Sequence, residues 1–350
     1  MTGRRGIREA LPSEWAPRLL GRRDVVRLTM ALAATSCTGR PSPSVVPVSP
    51  APPLLHLTPV VDLVPAAGLT WLVEARPEDL WSDPVTRRVA SLLIQAGRFD
   101  AFAAGHGGVD LRQARELVVG SFDASTVALV AAPVQADRLV AAFVARNPTI
   151  DGRSADRGVT RVWGRRGDGT VGEELVVFDG QAAGWERGRC HVLRAATLFA
   201  EGRLHRAMPA LRAEPLATAA MAIGEAPLRA FAPGPFDGEI AKGLGGLLRA
   251  ATAVAASVRS RSDDELVFSF ALIGAWGHDL AGAADRLSAV FETLAVDPLG
   301  RLIGADRAIA GPHTWLDAGT LRLEVTLSAD GVARGLHDAT EATVDEMMAY

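Results

Sequence analysis

Histidines, cysteines and paired acidic residues are the side chains of this sequence that could do chemistry. Seven histidines occur in 350 residues, but none belongs to an HExxH or paired-cysteine pattern that would bring zinc ligands together. Cys190 and His191 are adjacent, and neighbours in sequence rarely reach the mutual hydrogen bond that a Cys–His nucleophile needs. We interpret Glu173-Glu174 and Asp263-Asp264 as solvated strand ends. The sequence therefore predicts no metal site, no cofactor and no catalytic residues.

The sequence offers no convincing motif for nucleotide binding or acyl transfer. There is no G-x-S-x-G elbow or Walker loop. Gly167-Asp-Gly-Thr-Val-Gly172 has the G-x-G-x-x-G spacing, but it lies between two predicted strands and not between a strand and a helix, as dinucleotide binding requires. Gly243-Leu-Gly-Gly lacks the lysine and hydroxyl of a phosphate cradle, and Arg166-Gly167-Asp168 is interpreted as a turn between strands. The chain is expected not to be an enzyme. A hydrolase with a dispersed site stays an alternative, and it requires residues that converge in a cleft.

Four tryptophans lie in or near predicted strands and are candidates for a ligand groove: Trp163, Trp185, Trp276 and Trp315. Large aromatic side chains in strands more commonly serve core or rim packing. The sequence leaves both interpretations open.

Composition and charge exclude one class of partner. Apolar residues make up 48% of the chain, charged residues 22%, and the formal net charge is −3. Residues 1–36 hold seven arginines against three acidic residues, so the rest of the chain is more acidic than the whole. Nucleic-acid binding demands clustered positive charge. We therefore expect no nucleic-acid partner.

The N-terminal 36 residues have the three parts of an export signal. A basic leader contains Arg22-Arg23, an apolar run covers Leu28–Ala34, and small residues precede Cys37. Arg-Arg-Asp-Val-Val-Arg at 22–27 resembles twin-arginine signals, and Cys37 after small residues resembles the cleavage site of bacterial lipoproteins. The resemblance implies export of an already folded protein and lipid on Cys37. Two alternatives stay open: a cleaved signal without lipid, and a basic leader with an incidental cysteine.

Residues 37–65 are predicted to form a tether between the lipidated Cys37 and a folded body. Eight prolines occur from Gly39 to Pro65, which favours an extended, semi-rigid spacer. Lipid on Cys37 is the only membrane anchor that we infer. The expected location is the periplasmic or outer-surface side of a bacterial envelope.

Hydrophobic periodicity predicts an α+β body. The predicted strands are 68–76, 116–122, 126–134, 159–166, 174–178, 181–186, 228–232, 265–276 and 320–327. The predicted helices are 85–96, 135–146, 192–211, 215–224, a long one with an apolar side from Ile240 to Val258, 280–296 and 330–348. Alternation in the last strand, Thr320–Leu327, indicates an antiparallel sheet with one wet face.

An internal repeat divides this body in two. Glu116-Leu-Val-Val matches Glu265-Leu-Val-Phe, and Ala136–Phe143 (ADRLVAAF) matches Ala284–Phe291 (ADRLSAVF) at a nearly equal offset. The sequence thus predicts two tandem related α+β units, 66–225 and 226–350, each with a mostly antiparallel sheet packed on helices.

These observations predict a non-catalytic binding or scaffolding protein of the envelope, with an unknown envelope protein or an apolar ligand as its partner. A carrier or chaperone for a lipid or other apolar ligand is the first alternative, and it requires a continuous apolar cavity of at least about 300 Å³. The scaffolding hypothesis predicts a filled core and an exposed apolar or aromatic patch.

Overall fold

The computed structural model describes residues 55–166, 171–189, 191–204, 209–276, 280–297, 300, 304–317 and 319–341. Arg22, Arg23 and Cys37 of the predicted export and lipidation signal lie outside these residues, and so does Cys190. Contacts group Pro52–Tyr350 into one compact unit.

Twelve strands among the described residues form one antiparallel sheet. In chain order they are β1 (Leu69–Ala75), β2 (Glu116–Phe122), β3 (Ser125–Ala131), β4 (Thr149–Asp156), β5 (Val159–Arg165), β6 (Gly172–Phe178), β7 (Ala182–Gly188), β8 (Leu228–Pro233), β9 (Ala251–Ser262), β10 (Glu265–Gly274), β11 (Ala308–Asp317) and β12 (Thr320–Ser328). Their order across the sheet is β11-β12-β10-β9-β8-β1-β2-β3-β7-β6-β5-β4. The predicted α+β class and antiparallel pairing are confirmed.

Among the described residues, the α-helices lie between these strands, except for the last helix, which follows β12. They are α1 (Pro77–Ser82), α2 (Pro84–Leu93), α3 (Ala96–Gly105), α4 (Ala136–Arg146), α5 (Val192–Ala200), α6 (Leu216–Ile223), α7 (Leu280–Val296) and α8 (Ala329–Glu341). The start of α2 shows why the sequence folds this way locally. Asp83 accepts hydrogen bonds from the backbone N–H groups of Val85 and Thr86. Pro84 then occupies a first-turn position that needs no donor.

The predicted long helix through Val258 is wrong. Short 3₁₀ turns cover Ile240–Lys242 and Leu244–Ala250, and β9 follows. Gly245 and Gly246 have positive φ angles of 63° and 83°, which no helix can accommodate. Gly245 also packs closely against α7, because a Cβ at this position would lie 3.3 Å from Val290.

Other predicted boundaries also shift. The helix predicted over 192–211 ends at Ala200, and a separate 3₁₀ turn covers Ala210–Arg212. The helix predicted over 85–96 corresponds to α2, after which α3 begins as a second helix. Strand β4 was not predicted, and its mostly exposed, polar residues explain why hydrophobic periodicity misses it.

Hydrophobic clusters cover both faces of the sheet. Leu129 and Val130 are neighbours in β3 and belong to different clusters, because successive side chains of a strand point to opposite faces. The Leu129 face packs on α5, α6 and a 3₁₀ turn at Val60–Leu63. Over the strands of the first half of the chain, the Val130 face packs on α4. Over the strands of the second half, the same face packs on α2, α7 and α8.

The pair of β1 and β8 joins the two halves of the chain, with four strands beyond β8 and six beyond β1. Outward from β1 the order is β1-β2-β3-β7-β6, and outward from β8 it is β8-β9-β10-β12-β11. Helix α4 follows β3, and α7 follows β10. The hairpin β4–β5 extends the first side only. Within the described residues, no helix has the length and apolar character needed to cross a membrane.

Candidate functional site

A cavity of about 620 Å³ lies between the sheet and helices α3 and α4. Its apolar lining comes from β2, β3, β7, the two helices and the turn after α3: Phe102, Leu111, Leu117, Val119, Val127, Ala128, Val130, Phe143 and Trp185. Its polar lining comprises His106, Thr126, Arg146, Arg166, Glu173, Glu174, Glu186 and Arg187. The volume falls within the range of about 300–1,000 Å³ that is typical of small-molecule sites.

Strand register builds the apolar floor. Leu117 of β2 lies opposite Val130 of β3, and Val119 lies opposite Ala128. Ala128 in turn lies opposite Trp185 of β7. Alternate residues of paired strands share a face, so these side chains form one apolar surface. Leu117, Val119, Ala128 and Trp185 are only half-buried. The helices therefore leave part of the floor uncovered.

An aromatic cluster closes one side of the cavity. Phe102 and His106 are four residues apart at the end of α3, where a helix places them on one face. Their rings stack at 3.9 Å, and each meets the ring of Trp185 edge to face, at 6.0 Å from Phe102 and 5.5 Å from His106. Aromatic pairs favour these two geometries. The cluster thus fixes α3 relative to β7.

His106 has a defined hydrogen-bonding state. Its Nδ1 lies 2.9 Å from the carbonyl oxygen of Phe102. A carbonyl only accepts, so Nδ1 carries the proton and Nε2 of the neutral ring is an acceptor. Burial lowers the pKa of His106, and the charge of Arg146 lowers it further, against the opposing effect of the Phe102 hydrogen bond.

The loop after α3 is locked against α4 by two contacts. Gly107 has φ +65°, and a Cβ at this position would lie 2.8 Å from backbone atoms of Arg138 and Leu139. Only glycine fits such a close approach without displacement. The Arg146 guanidinium donates a hydrogen bond to the carbonyl oxygen of Gly105. Both contacts hold His106 at the edge of the cavity.

The mouth of the cavity is rich in arginine. Arg166 and Arg187 are exposed, whereas Arg146 and Glu173 are half-buried. Glu173 of β6 lies directly opposite Arg187 of β7. Burial lowers the pKa of Arg146, but a guanidinium stays charged in proteins. Three positive charges thus surround one carboxylate at the opening.

The other two carboxylates of the lining are engaged elsewhere. Glu174 is fully buried and forms an ion pair with Arg161 on β5. Glu186 accepts hydrogen bonds from the backbone N–H of His191 at 3.0 Å and of Leu193 at 2.8 Å, at the start of α5. Both lie opposite each other in the register and share a face with Val127. Burial raises the pKa of Glu174 despite the Arg161 partner.

The structure separates the residues singled out from the sequence. Trp185 lines the cavity, whereas Trp163 lies on the opposite sheet face, across from Glu174. Trp276 is buried, and its Nε1 donates a hydrogen bond to the Gly319 carbonyl at 2.8 Å. Trp315 lies on β11, and the guanidinium carbon of Arg322 lies 6.0 Å from the centroid of its ring. The four tryptophans therefore form no common groove.

The two acidic pairs predicted as solvated strand ends differ in their surroundings. Glu174 is fully buried, so the prediction that it is solvated is wrong. Asp264 accepts hydrogen bonds from Ser328 at 2.9 Å and from the backbone N–H of Asp330 at 3.2 Å, where α8 begins. It also pairs with Arg88 of α2. Asp264 therefore connects α2 and α8 at the start of β10.

The histidines do not converge. The histidines whose side chains are described are His56, His106, His191 and His313, and they lie on four separate segments. Among residues that the structure describes, no group of three or more histidine, cysteine or acidic side chains is arranged to hold a metal ion. The cavity supplies an apolar floor, an aromatic wall and a cationic mouth, which are means of binding. No known protein family, curated protein or solved structure matches the chain.

Proposed function

We propose that the protein is an exported, lipid-anchored binding protein that takes up a small apolar ligand in the cavity between α3, α4 and the sheet. One observation carries this proposal: the cavity of about 620 Å³ has an apolar floor that the helices leave partly uncovered. It exceeds the minimum of about 300 Å³ that a carrier needs. The carrier hypothesis is therefore preferred to the scaffolding one, which requires a filled core.

The hydrolase alternative has less support. A nucleophile needs a base within hydrogen-bond reach. Within the described ranges no hydroxyl is hydrogen-bonded to a histidine, and His106 bonds a backbone carbonyl. Binding without covalent chemistry accounts for the residues of the cavity.

Export and anchoring rest on the sequence. The paired arginines Arg22-Arg23, the small residues before Cys37 and the proline-rich segment up to Pro65 support them. Mass spectrometry of the mature N-terminus from membrane fractions tests this part. We expect a chain that begins at a lipid-modified Cys37. An unmodified Cys37 or an intact leader would overturn it.

We further propose that residues 66–225 and 226–350 are related units. The shared strand order outward from the β1–β8 pair supports this, and so does the ADRL match, which lies on the corresponding helices α4 and α7. The match of Glu116 with Glu265 does not, because β2 corresponds to β9 and not to β10. An experimental structure in which β8-β9-β10-α7 fails to superpose on β1-β2-β3-α4 would contradict the proposal.

Ligand uptake is tested with N-phenyl-1-naphthylamine, a neutral apolar dye whose fluorescence rises in apolar sites. We expect saturable binding by the full-length protein. Ala128→Trp fills the floor and should weaken binding at least about 10-fold, while Ala141→Trp, on the exposed side of α4, should leave it unchanged. Circular dichroism checks that both variants fold. Equal binding by the two variants, or no saturable binding by the wild type, would refute uptake in this cavity.

A further inference from the structure

The apolar floor indicates an apolar ligand, and the charges at the cavity mouth indicate which headgroup that ligand carries. Arg146, Arg166 and Arg187 line the opening together with one carboxylate that shares their side of the sheet, Glu173. Neither Arg166 nor Arg187 has a carboxylate within ion-pair distance among the described residues. Arg146 donates to a carbonyl, which does not neutralise it.

Nearby groups do not remove this excess of positive charge. Glu173 lies opposite Arg187 and can balance one arginine. Glu174 and Glu186 project to the other face, where Arg161 and the start of α5 engage them. His106 carries its proton on Nδ1 and adds no negative charge. Among the described residues, the mouth therefore keeps an excess of two positive charges beside an apolar floor.

We infer that the ligand is an amphiphile with an anionic headgroup, which lies among Arg146, Arg166 and Arg187 while the apolar body covers Leu117, Val119 and Ala128. This inference rests on the proposed uptake of an apolar ligand. Guanidinium groups bind carboxylates and phosphates through paired, charge-assisted hydrogen bonds. A cationic headgroup would meet three arginines and one carboxylate, so it is excluded by repulsion.

The test is competition against N-phenyl-1-naphthylamine with four ligands of equal chain length: tetradecanoate, tetradecyl phosphate, methyl tetradecanoate and tetradecylammonium. We expect both anions to compete at least about 10-fold better than the neutral ester, and the amine to be weakest. Comparing carboxylate with phosphate identifies the headgroup. An ester that competes as well as the anions would overturn the inference while the proposed function stands. Failure of the dye itself to bind would instead refute the proposed function.

A charge variant locates the recognition. The double change Arg166→Ala and Arg187→Ala removes two exposed side chains and should reduce the preference for anion over ester to less than about 3-fold, because only the anions lose charged partners. Arg153→Ala, an exposed arginine of β4, is the matched control and should keep the preference.

High salt should weaken binding of the anions but not of the ester. An undiminished preference in the double variant would place anion recognition elsewhere and contradict the inference.

Discussion

Arg229 of β8 and Glu74 of β1 lie directly opposite each other in the strand pair that joins the two halves of the chain. Arg229 Nη2 donates to both carboxylate oxygens of Glu74, at 2.9 and 2.7 Å, and each side chain is only 9% exposed. A second carboxylate, Glu225, lies 3.2 Å from Arg229 Nη1 at the exposed side. A buried ion pair thus marks the place where the two halves of the chain meet.

Removing one partner of this pair should destabilise the protein strongly. Glu74→Gln leaves the Arg229 charge buried without its main partner, and loss of a buried partner costs about 3–5 kcal/mol. We expect about 3 kcal/mol in urea denaturation, because Glu225 still offsets part of the charge. Asp151→Asn is the control, since the Arg165–Asp151 pair is 46% and 37% exposed and should contribute less than about 1 kcal/mol. Similar losses in both variants would contradict the expectation.

Strands and helices could be predicted from the sequence where the hydrophobic periodicity matches the burial that the structure shows. The prediction failed at β9, which was expected to be helical. Its residues Ala251–Val258 are rich in alanine, the best helix former, so local propensity favours helix. Burial alternates along the same residues, with Ala251, Ala253 and Ala255 buried. Pairing with both β8 and β10 determines the outcome. Such non-local pairing is not encoded in a short window of sequence.

The cavity could not be predicted from sequence for the same reason. Its floor depends on the register of β2, β3 and β7, and its wall on the placement of α3. Trp185 was a groove candidate and does line the cavity, but nothing near it in sequence distinguishes it from Trp163. His106 and Arg146 are 40 residues apart and meet only through the α3–α4 contact. The adjacent glycines Gly107 and Gly108 are the one local signal in the sequence of a constrained turn after α3.

Adding a methyl group at Gly107 should open this contact. Gly107→Ala introduces a Cβ 2.8 Å from the α4 backbone at a positive φ, whereas a Cβ on Gly108, also at positive φ, would meet no heavy atom within 4 Å. The positive φ alone costs about 1–2 kcal/mol, so Gly108→Ala should lose that amount. Gly107→Ala should lose at least about 2 kcal/mol more than Gly108→Ala, by analogy with overpacked sites. Equal thermal denaturation of the two variants would refute the close-packing argument.

Glu116 holds the N-terminal end of the folded body to the sheet. Its two carboxylate oxygens accept hydrogen bonds from the backbone N–H groups of Val60, at 2.7 Å, and Val61, at 2.8 Å. Val60 and Val61 are buried, and an unsatisfied buried donor costs about 1–3 kcal/mol. Glu116→Ala should therefore lose about 2–4 kcal/mol in urea denaturation and speed hydrogen exchange at both amides. Glu239→Ala, which removes the exposed partner of Lys242, should change neither.

Protonation of His106 should make the stability of the folded protein depend on pH. Burial holds the pKa of His106 below its ordinary value, and Arg146 and Arg166 act in the same direction, while the Phe102 hydrogen bond and Glu173 oppose them. The unfolded chain thus takes up this proton at higher pH than the folded protein does. Stability is retained above the ordinary value of about 6.5 and is lost as pH falls from there towards the folded pKa.

His106→Asn isolates this contribution. The Asn amide can still donate to the Phe102 carbonyl in place of Nδ1, but it does not titrate. We expect the free energy of unfolding of the wild type to fall relative to that of the variant as pH decreases from about 7.5 to about 5, a range that spans the ordinary histidine pKa. Chemical denaturation at several pH values measures the difference, and groups common to both proteins cancel. Parallel pH profiles would mean that His106 has the same proton affinity in the folded and unfolded chain, and would contradict the lowered pKa of this histidine.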